Sequence, residues 1–553
     1  MNADKIYCNG VVVTVAEERP TAEAVAVADG KIVAVGSNQE VLALRGPDTE
    51  VVDLRGKTMV PGFVDAHSHF INGLQVLTYA NVSAPPVGPV NSIADLLQVL
   101  EQHKARWKPA PGEWIVGYGY DSNMLSEGRE MTCDDLDTVS PDNPVMIIHV
   151  SLHGAVLNSL ALRTFDITAD TPTPPGGVIL RKPGGNEPAG LIQEVAFLPI
   201  FARMPKPTPE ELLERMQGAQ EIYAAAGITT ATEGASGVSD LALLTRAARE
   251  GRFYLDVVSL ALMTELDEIL EEHKPEEFGH YRNRLKLYGT KTFADGVPMS
   301  RTAFFRDPYL LPGPNGESPW RGEPMFPYET FLGMFQKAYK YGIPLFVHAN
   351  GDEALDMLLL AHETAAGDRK CEKLGTTIIH GQFARPDQLK KFAEYQINVS
   401  FYTEHTFFFA DAHLKNLGPE RTHPCSPLKT ALSLGVRCSN HTDFSVLPID
   451  QLLTIWTAVN RISRSGQVIG EHERVTPLQA LRAITIEAAH HYREEDRKGS
   501  IEVGKLADLT VLSDNPLTVD PLTIKDIKVL GTIKEGRIVF SAEHAPWKEA
   551  ARA

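Results

Sequence analysis

The stretch Met59 to Phe70, MVPGFVDAHSHF, ends an apolar run in His67-Ser68-His69. In an extended strand residues i and i+2 project to the same face, so the two imidazoles would stand side by side, a spacing suited to chelating a metal ion. Two surface rings that merely hydrogen-bond share that spacing, so the motif needs partners elsewhere. Candidates recur in later apolar runs: Lys291 in LKLYGTKTFADG, His348 in IPLFVHANGD, His380 in GTTIIHGQF and Asp443 in GVRCSNHTDF. One histidine on an apolar strand is usually a satisfied structural ring. Four imidazoles, a lysine and a carboxylate on the first, fourth, fifth, sixth and eighth runs have no such common cause. Nitrogen and oxygen donors of this kind can hold a divalent ion that activates water for attack on a carbonyl carbon.

Those residues can meet only if the runs are strands of one sheet. Eight apolar, β-branched runs, beginning near residues 58, 227, 253, 285, 343, 375, 395 and 435, alternate with helix-like stretches. That pattern predicts an α/β fold, a (β/α)8 TIM-like barrel, whose chemistry gathers at the C-terminal strand ends. Short strands also open the chain, in KIYCNGVVVTV and AEAVAVADGKIVAVG, with Asp29-Gly30 as a hairpin signal. The same texture closes it, in GKLADLTVLSDNP and IKVLGTIKEGRIVFS. Residues 1–58 and 500–545 are therefore expected to meet as one small β-sandwich domain, with the barrel in 59–75 and 206–499. Residues 76–205 are too long for one crossover and read as an insertion over the barrel mouth.

Composition narrows the partners. The 553 residues carry 53 Lys plus Arg against 71 Asp plus Glu, a formal net charge of −18, with no basic stripe to neutralise phosphates, so nucleic acid is not expected. No run approaches the roughly 20 apolar residues needed to span a bilayer, and the N-terminus has no leader pattern. The expectation is a cytoplasmic protein without a membrane partner. Cys8, Cys133, Cys371, Cys425 and Cys438 are scattered and form no C-x-x-C pair, which argues against thiolate metal sites. A homodimer is the base-rate expectation.

The segments VPGFVDAHSHF, GTKTFADG followed by SRTA, FVHANGDEAL, IIHGQF, TDFSVLPID and GSIEVGKLADLTVL span nearly the whole chain. In that order they resemble the amidohydrolase superfamily, and within it the amidohydrolase-3 branch that includes N-substituted formamide deformylases. The resemblance implies that His67, His69 and Asp443 bind one metal ion and His348 and His380 a second. It implies Lys291 as a bridging carbamate formed with CO2 and Asp443 as the general base and acid; the nitrogen and oxygen donors suit zinc, with manganese or iron as alternatives. A lysine simply paired with Asp295 is the alternative for Lys291. Thr442, where the branch usually has serine, and Val297 to Met299 depart from the pattern, which leaves substrate preference open.

The expected activity is hydrolysis of a non-peptide carbon–nitrogen bond in a small-molecule amide, either an N-substituted formamide or another N-acyl amine. The same centre could instead serve ester or lactone hydrolysis, deamination or decarboxylation, which fold and ligands alone do not separate. Substrate contacts are sought in His405, which follows the seventh strand, and in Trp114, Tyr118 and Asp121 of EWIVGYGYDSNM. Glu233, at the end of the second strand, reads first as fold support, with a hydrogen bond to a metal-ligating side chain as the alternative.

Overall fold

The computed structural model describes residues 2–549 apart from 86, 151–153, 175–176, 195, 205–206, 314–315 and 448. The boundary expected at residues 205 and 206 lies outside the described residues. Eight parallel strands curl into one TIM-barrel-like sheet in sequence order. They are β1 (Phe63–Val64), β2 (Ile228–Ser236), β3 (Asp256–Leu262), β4 (Leu285–Phe293), β5 (Leu345–Ala349), β6 (Thr376–His380), β7 (Asn398–Phe401) and β8 (Cys438–Asn440). A short strand, Tyr281–Arg282, adds antiparallel to β4. Nearly every residue of these strands is buried, which is why they read as continuous apolar runs rather than alternating ones.

Pairing sets the level at which each strand delivers its last side chains. Phe293 pairs with His348, and Ala349 with His380. The chain leaving β8 returns to the chain leaving β1: the Asp443 N–H donates to the His67 carbonyl at 3.1 Å, and the His69 N–H donates to the Phe444 carbonyl. Beneath this rim the barrel is filled by Val64, Val258, Leu260, Tyr288, Phe346, Ile379 and Tyr492. Tyr492 stacks on Phe346 with ring centroids 5.7 Å apart and donates its hydroxyl proton to the Ala66 carbonyl.

The first apolar run divides at Gly62. Thr58–Pro61 pairs with Leu509–Leu512 and Val11–Val13 in a six-stranded sheet built from both termini, and only Phe63–Val64 enters the barrel. A Cβ on Gly62 would lie 2.5 Å from Thr229 Cγ2, so the crossing between sheets needs glycine. A second terminal sheet has the order Lys31–Gly36, Ala24–Ala28, Lys5–Cys8, Glu50–Asp53. Tyr7, Val25 and Val52 of that sheet share one apolar cluster with Met59, Leu509 and Val511.

A buried ion-pair network marks the N-terminal ends of β3 and β4. Asp256, the first residue of β3, accepts from Lys498 and Lys534, each at 2.6 Å, and from Arg284 at 3.1 Å. Lys534 also reaches Asp508 at 2.7 Å, and Lys498 and Lys286 both reach Glu494. Removing one member strands the others in a medium that cannot solvate them. Asp256→Ala is therefore expected to cost about 3–5 kcal/mol, read from the urea midpoint. A midpoint within experimental scatter of the wild type would show that water replaces the lost carboxylate.

The chain divides into two compact units, 1–70 with 216–444 and 449–553, and 71–215 with 445–448. The second unit carries a six-stranded sheet in the order Gly177–Arg181, Pro188–Glu194, Gly154–Leu157, Val145–His149, Ile115–Tyr120, Ala80–Asn81. Its helix Ile93–Trp107 starts where the Ser92 side chain accepts from the Asp95 N–H, and buries Leu96 and Leu100. Among the described residues no helix is long and apolar enough to cross a membrane.

Candidate metal centre

The strand ends bring His67, His69, Lys291, His348, His380 and Asp443 to one rim of the barrel. His67 Nε2 and His69 Nε2 lie 3.6 and 3.5 Å from the same Asp443 oxygen, Oδ1. Four-coordinate zinc, with ligand bonds of about 2.0–2.1 Å, sets donor-to-donor edges of about 3.3 Å. The three atoms thus already stand close to the spacing one ion requires. His67 Nδ1 is buried without a hydrogen-bond partner, so the ring's one polar engagement is through the nitrogen that faces this group. The donor set fits a divalent ion.

Lys291 Nζ lies 3.2 Å from His67 Nε2 and is fully buried. Burial pushes its ammonium down to about 7, against the opposing pull of Asp443 and Glu233. Burial likewise holds the His67 and His380 rings well below the usual histidine range, and burial with the Lys291 charge pushes His348 down to about 4. These rings are neutral at neutral pH, the state in which imidazole ligates. Burial opposes ionisation of Asp443, but the hydrogen bond and charge of His69, with His441 and Lys291, hold its carboxyl well below the ordinary range.

An amine that titrates near 7 when folded and at 10.5 as an ordinary lysine leaves the unfolded chain with the extra proton between those values. Stability of the metal-free, CO2-free protein is therefore expected to rise from pH 7 toward pH 10.5 on account of Lys291. Urea midpoints of the chelator-treated protein at several pH values, set against Lys291→Met, would read this contribution. An identical slope in the two proteins would remove it.

His348 turns Nε2 toward the Gly296 carbonyl and the Asn350 side-chain amide, both at 3.1 Å, which leaves Nδ1 for the centre. Its ring centroid is 4.7 Å from that of His380. His380 itself has φ +74° and Asp443 φ +52°, left-handed conformations that cost a non-glycine residue about 1–3 kcal/mol and persist where the surroundings enforce them. His405 is buried, its ring 5.5 Å from His380 and 4.5 Å from Tyr402, and its Nδ1 has no partner. Trp114, Tyr118 and Asp121 belong to the other unit. Tyr118 lies in the strand Ile115–Tyr120, Asp121 follows it, and Trp114 packs on Phe165 with centroids 5.5 Å apart.

A model of the amidohydrolase family matches residues 50–540. The chain belongs to that family. The N-substituted formamide deformylase of Arthrobacter pascens is 28% identical to this amidohydrolase over 96% of the chain and 97% of its own length. The Protein LONG AFTER FAR-RED 3 of Arabidopsis thaliana is 30% identical over 93% of the chain and 88% of its own length. A solved structure of an uncharacterized metal-dependent hydrolase from Pyrococcus horikoshii superposes with a TM-score of 0.72 at 25% identity, covering 94% of the chain and 99% of that structure. The protein is a metal-dependent hydrolase.

Several residues of the amidohydrolase rim escaped the reading of its sequence. His441 is fully buried, with Nε2 3.2 Å from His380 Nδ1; the spacing His441-x-Asp443, the same as His67-x-His69, was its signal. Asp65 accepts from both the N–H and the hydroxyl of Thr442, at 3.1 and 2.6 Å, and so ties β1 to the Asp443 turn. Asp295, instead of pairing with Lys291, accepts from the N–H groups of Asn350, Gly351 and Phe304 and anchors the turn after His348. Glu233, read as fold support, places Oε1 4.0 Å from His69 Nδ1.

Gly234 is the least replaceable of these positions. Its N–H donates to the Ser68 carbonyl at 2.8 Å, and a Cβ there would stand 2.3 Å from His67 Cε1 and 2.5 Å from Nδ1. Gly234→Ala is expected to push the His67 ring aside, costing about 1–3 kcal/mol of stability from overpacking and at least about tenfold in metal affinity. Thermal unfolding and chelator competition would measure both. Wild-type affinity in the variant would show that the ring has room to move.

Proposed function

We propose that the protein hydrolyses the carbon–nitrogen bond of small N-acyl amines, with N-substituted formamides as the leading class. The observation that carries this reading is the buried Lys291 amine set 3.2 Å from His67 Nε2, where burial pushes its ammonium down to about 7. A neutral amine can take up CO2 as a carbamate, and an anionic bridging oxygen ligand suits a pair of dications better than an ammonium does. The near full-length likeness to a formamide deformylase supports the substrate class.

On this reading His67, His69 and Asp443 would hold one ion and His348 and His380 a second, with Lys291, once carboxylated, as a further oxygen ligand, and zinc is the metal best matched to nitrogen and oxygen donors. The metal centre supplies a water pKa near 7 and polarises the substrate carbonyl. Asp443, ionised at neutral pH, takes the proton from the attacking water. As the new C–O bond forms and the C–N bond breaks, Asp443 passes that proton to the departing nitrogen. His405, whose Nδ1 meets no partner among the described residues, donates to the developing oxyanion. Glu233 Oε1 stands 4.0 Å from His69 Nδ1, close enough for its charge to act on the ring but beyond hydrogen-bond distance.

The test is amine release by zinc-reconstituted protein supplied with bicarbonate, across N-formyl, N-acetyl and longer N-acyl derivatives of benzylamine and simple alkylamines. Release confined to formyl compounds supports the deformylase reading; release from longer acyl groups moves the acyl preference. Silence across the panel, from protein shown to carry metal, would sink amide hydrolysis and favour ester or lactone hydrolysis, deamination or decarboxylation at the same centre.

A further inference from the structure

His441 has no place in the ligand set just proposed, yet it is the ring most firmly built into the centre. Its Nε2 stands 3.2 Å from His380 Nδ1, and donor atoms of His380, His441 and Asp443 all lie within 4.8 Å of one another. The ring is fully buried, with Tyr402 stacked on it at 5.3 Å and an interplanar angle of 18°. Its other nitrogen, Nδ1, meets Ser400 Oγ at 2.8 Å. Ser400 in turn accepts from Ser439 Oγ at 2.9 Å, and Ser439 Oγ lies 3.0 Å from His491 Nδ1. The chain runs between β7 and β8 from the rim to the helix Ile486–His491, and each of its members is buried.

We propose that His441 is a further nitrogen ligand of the ion that His348 and His380 would hold, with Asp443 facing that ion as well, its ring fixed by the Ser400–Ser439–His491 chain. This rests on the metal-centre reading above. The His380–His441 separation suits either one ring donating to the other or two rings sharing an ion. Two features favour the shared ion. The separation is close to the edge of about 3.3 Å that bonds of about 2.0–2.1 Å would impose, and the Asp443 carboxylate completes a three-donor face, which a ring-to-ring hydrogen bond does not require. Ser400 supplies what a ligating imidazole needs at its far nitrogen. Its oxygen accepts from Ser439 and keeps a lone pair for the Nδ1–H of His441, which presents the Nε2 lone pair to the centre. Ser400 and Ser439 are positioning residues.

The experiment compares wild type, His441→Gln and Ser400→Ala after chelator treatment and reconstitution with zinc or cobalt(II). Bound metal per chain, affinity by chelator competition and the cobalt visible spectrum are read on each, none of which requires turnover. His441→Gln is expected to lose one equivalent or to bind it at least about tenfold more weakly, with a changed cobalt spectrum. Ser400→Ala is expected to keep the stoichiometry at saturating metal while weakening affinity about 10–100-fold, the range seen when a ligand's hydrogen-bond partner is removed. If wild type binds metal and both variants match it in stoichiometry, affinity and spectrum, His441 is not a ligand. A wild type that takes up no divalent metal would overturn the metal-centre reading itself, a different result. Should His441→Gln fail to fold, Ser400→Ala decides alone, because wild-type affinity and spectrum in that variant overturn the proposal.

Discussion

Asp443→Asn is expected to lower kcat/KM for amide hydrolysis at least about a thousandfold, roughly 4 kcal/mol of barrier, while leaving the thermal midpoint nearly unchanged. The carboxylate has two proposed roles, and the amide loses both. Asp443 is the residue common to the donor groups His67–His69–Asp443 and His380–His441–Asp443, and a carboxamide cannot take up the proton of the attacking water. Loss of a positioned general base alone is worth about 10²–10⁴ in rate. The Asp443 N–H bond to the His67 carbonyl and the tie from Thr442 to Asp65 do not involve the substituted carboxylate, so the turn should persist. Turnover within tenfold of wild type, with metal bound, would remove Asp443 from the proton path.

The second large effect is expected at Lys291. Protein stripped of metal and CO2 should regain turnover when metal is supplied with bicarbonate and stay near background with metal alone; Lys291→Ala should stay near background in both. The chemistry is that of a neutral amine: the nitrogen attacks CO2, an N–C bond forms and one proton leaves. Burial supplies the neutral form by pushing the ammonium down to about 7. Carbon-13 bicarbonate should give a carbamate resonance in the wild type that is missing from the variant. Full bicarbonate-independent activity and no carbamate signal would leave Lys291 an ordinary buried amine.

Much of the rim was legible because barrel strands announce their own ends. His348 and His380 close short β-branched runs, His67 and His69 follow the first run at a spacing of two, and Asp443 follows the last. What failed were judgements that depend on a distant surface. The run beginning at Thr58 reads as one strand, yet Thr58–Pro61 joins the terminal sheet, because Leu509–Leu512 offers it an antiparallel partner before Gly62 turns the chain into the barrel. Asp295 was offered as a partner for Lys291 and instead collects three backbone N–H groups. His441 was passed over beside a more conspicuous aspartate.

The sequence by itself determined the alternation of strand and helix, the apolar runs and the residue types at their ends, since periodicity and propensity act over a few neighbouring residues. Tertiary structure alone decided which of those ends meet. That Gly234 leaves room for His67, that Asp65 binds Thr442, and that Ser400, Ser439 and His491 form one line to His441 depend on contacts within about 3 Å between residues far apart along the chain. Those contacts are set by strand register and barrel closure, and no local pattern encodes a distance between two strands that have yet to pair.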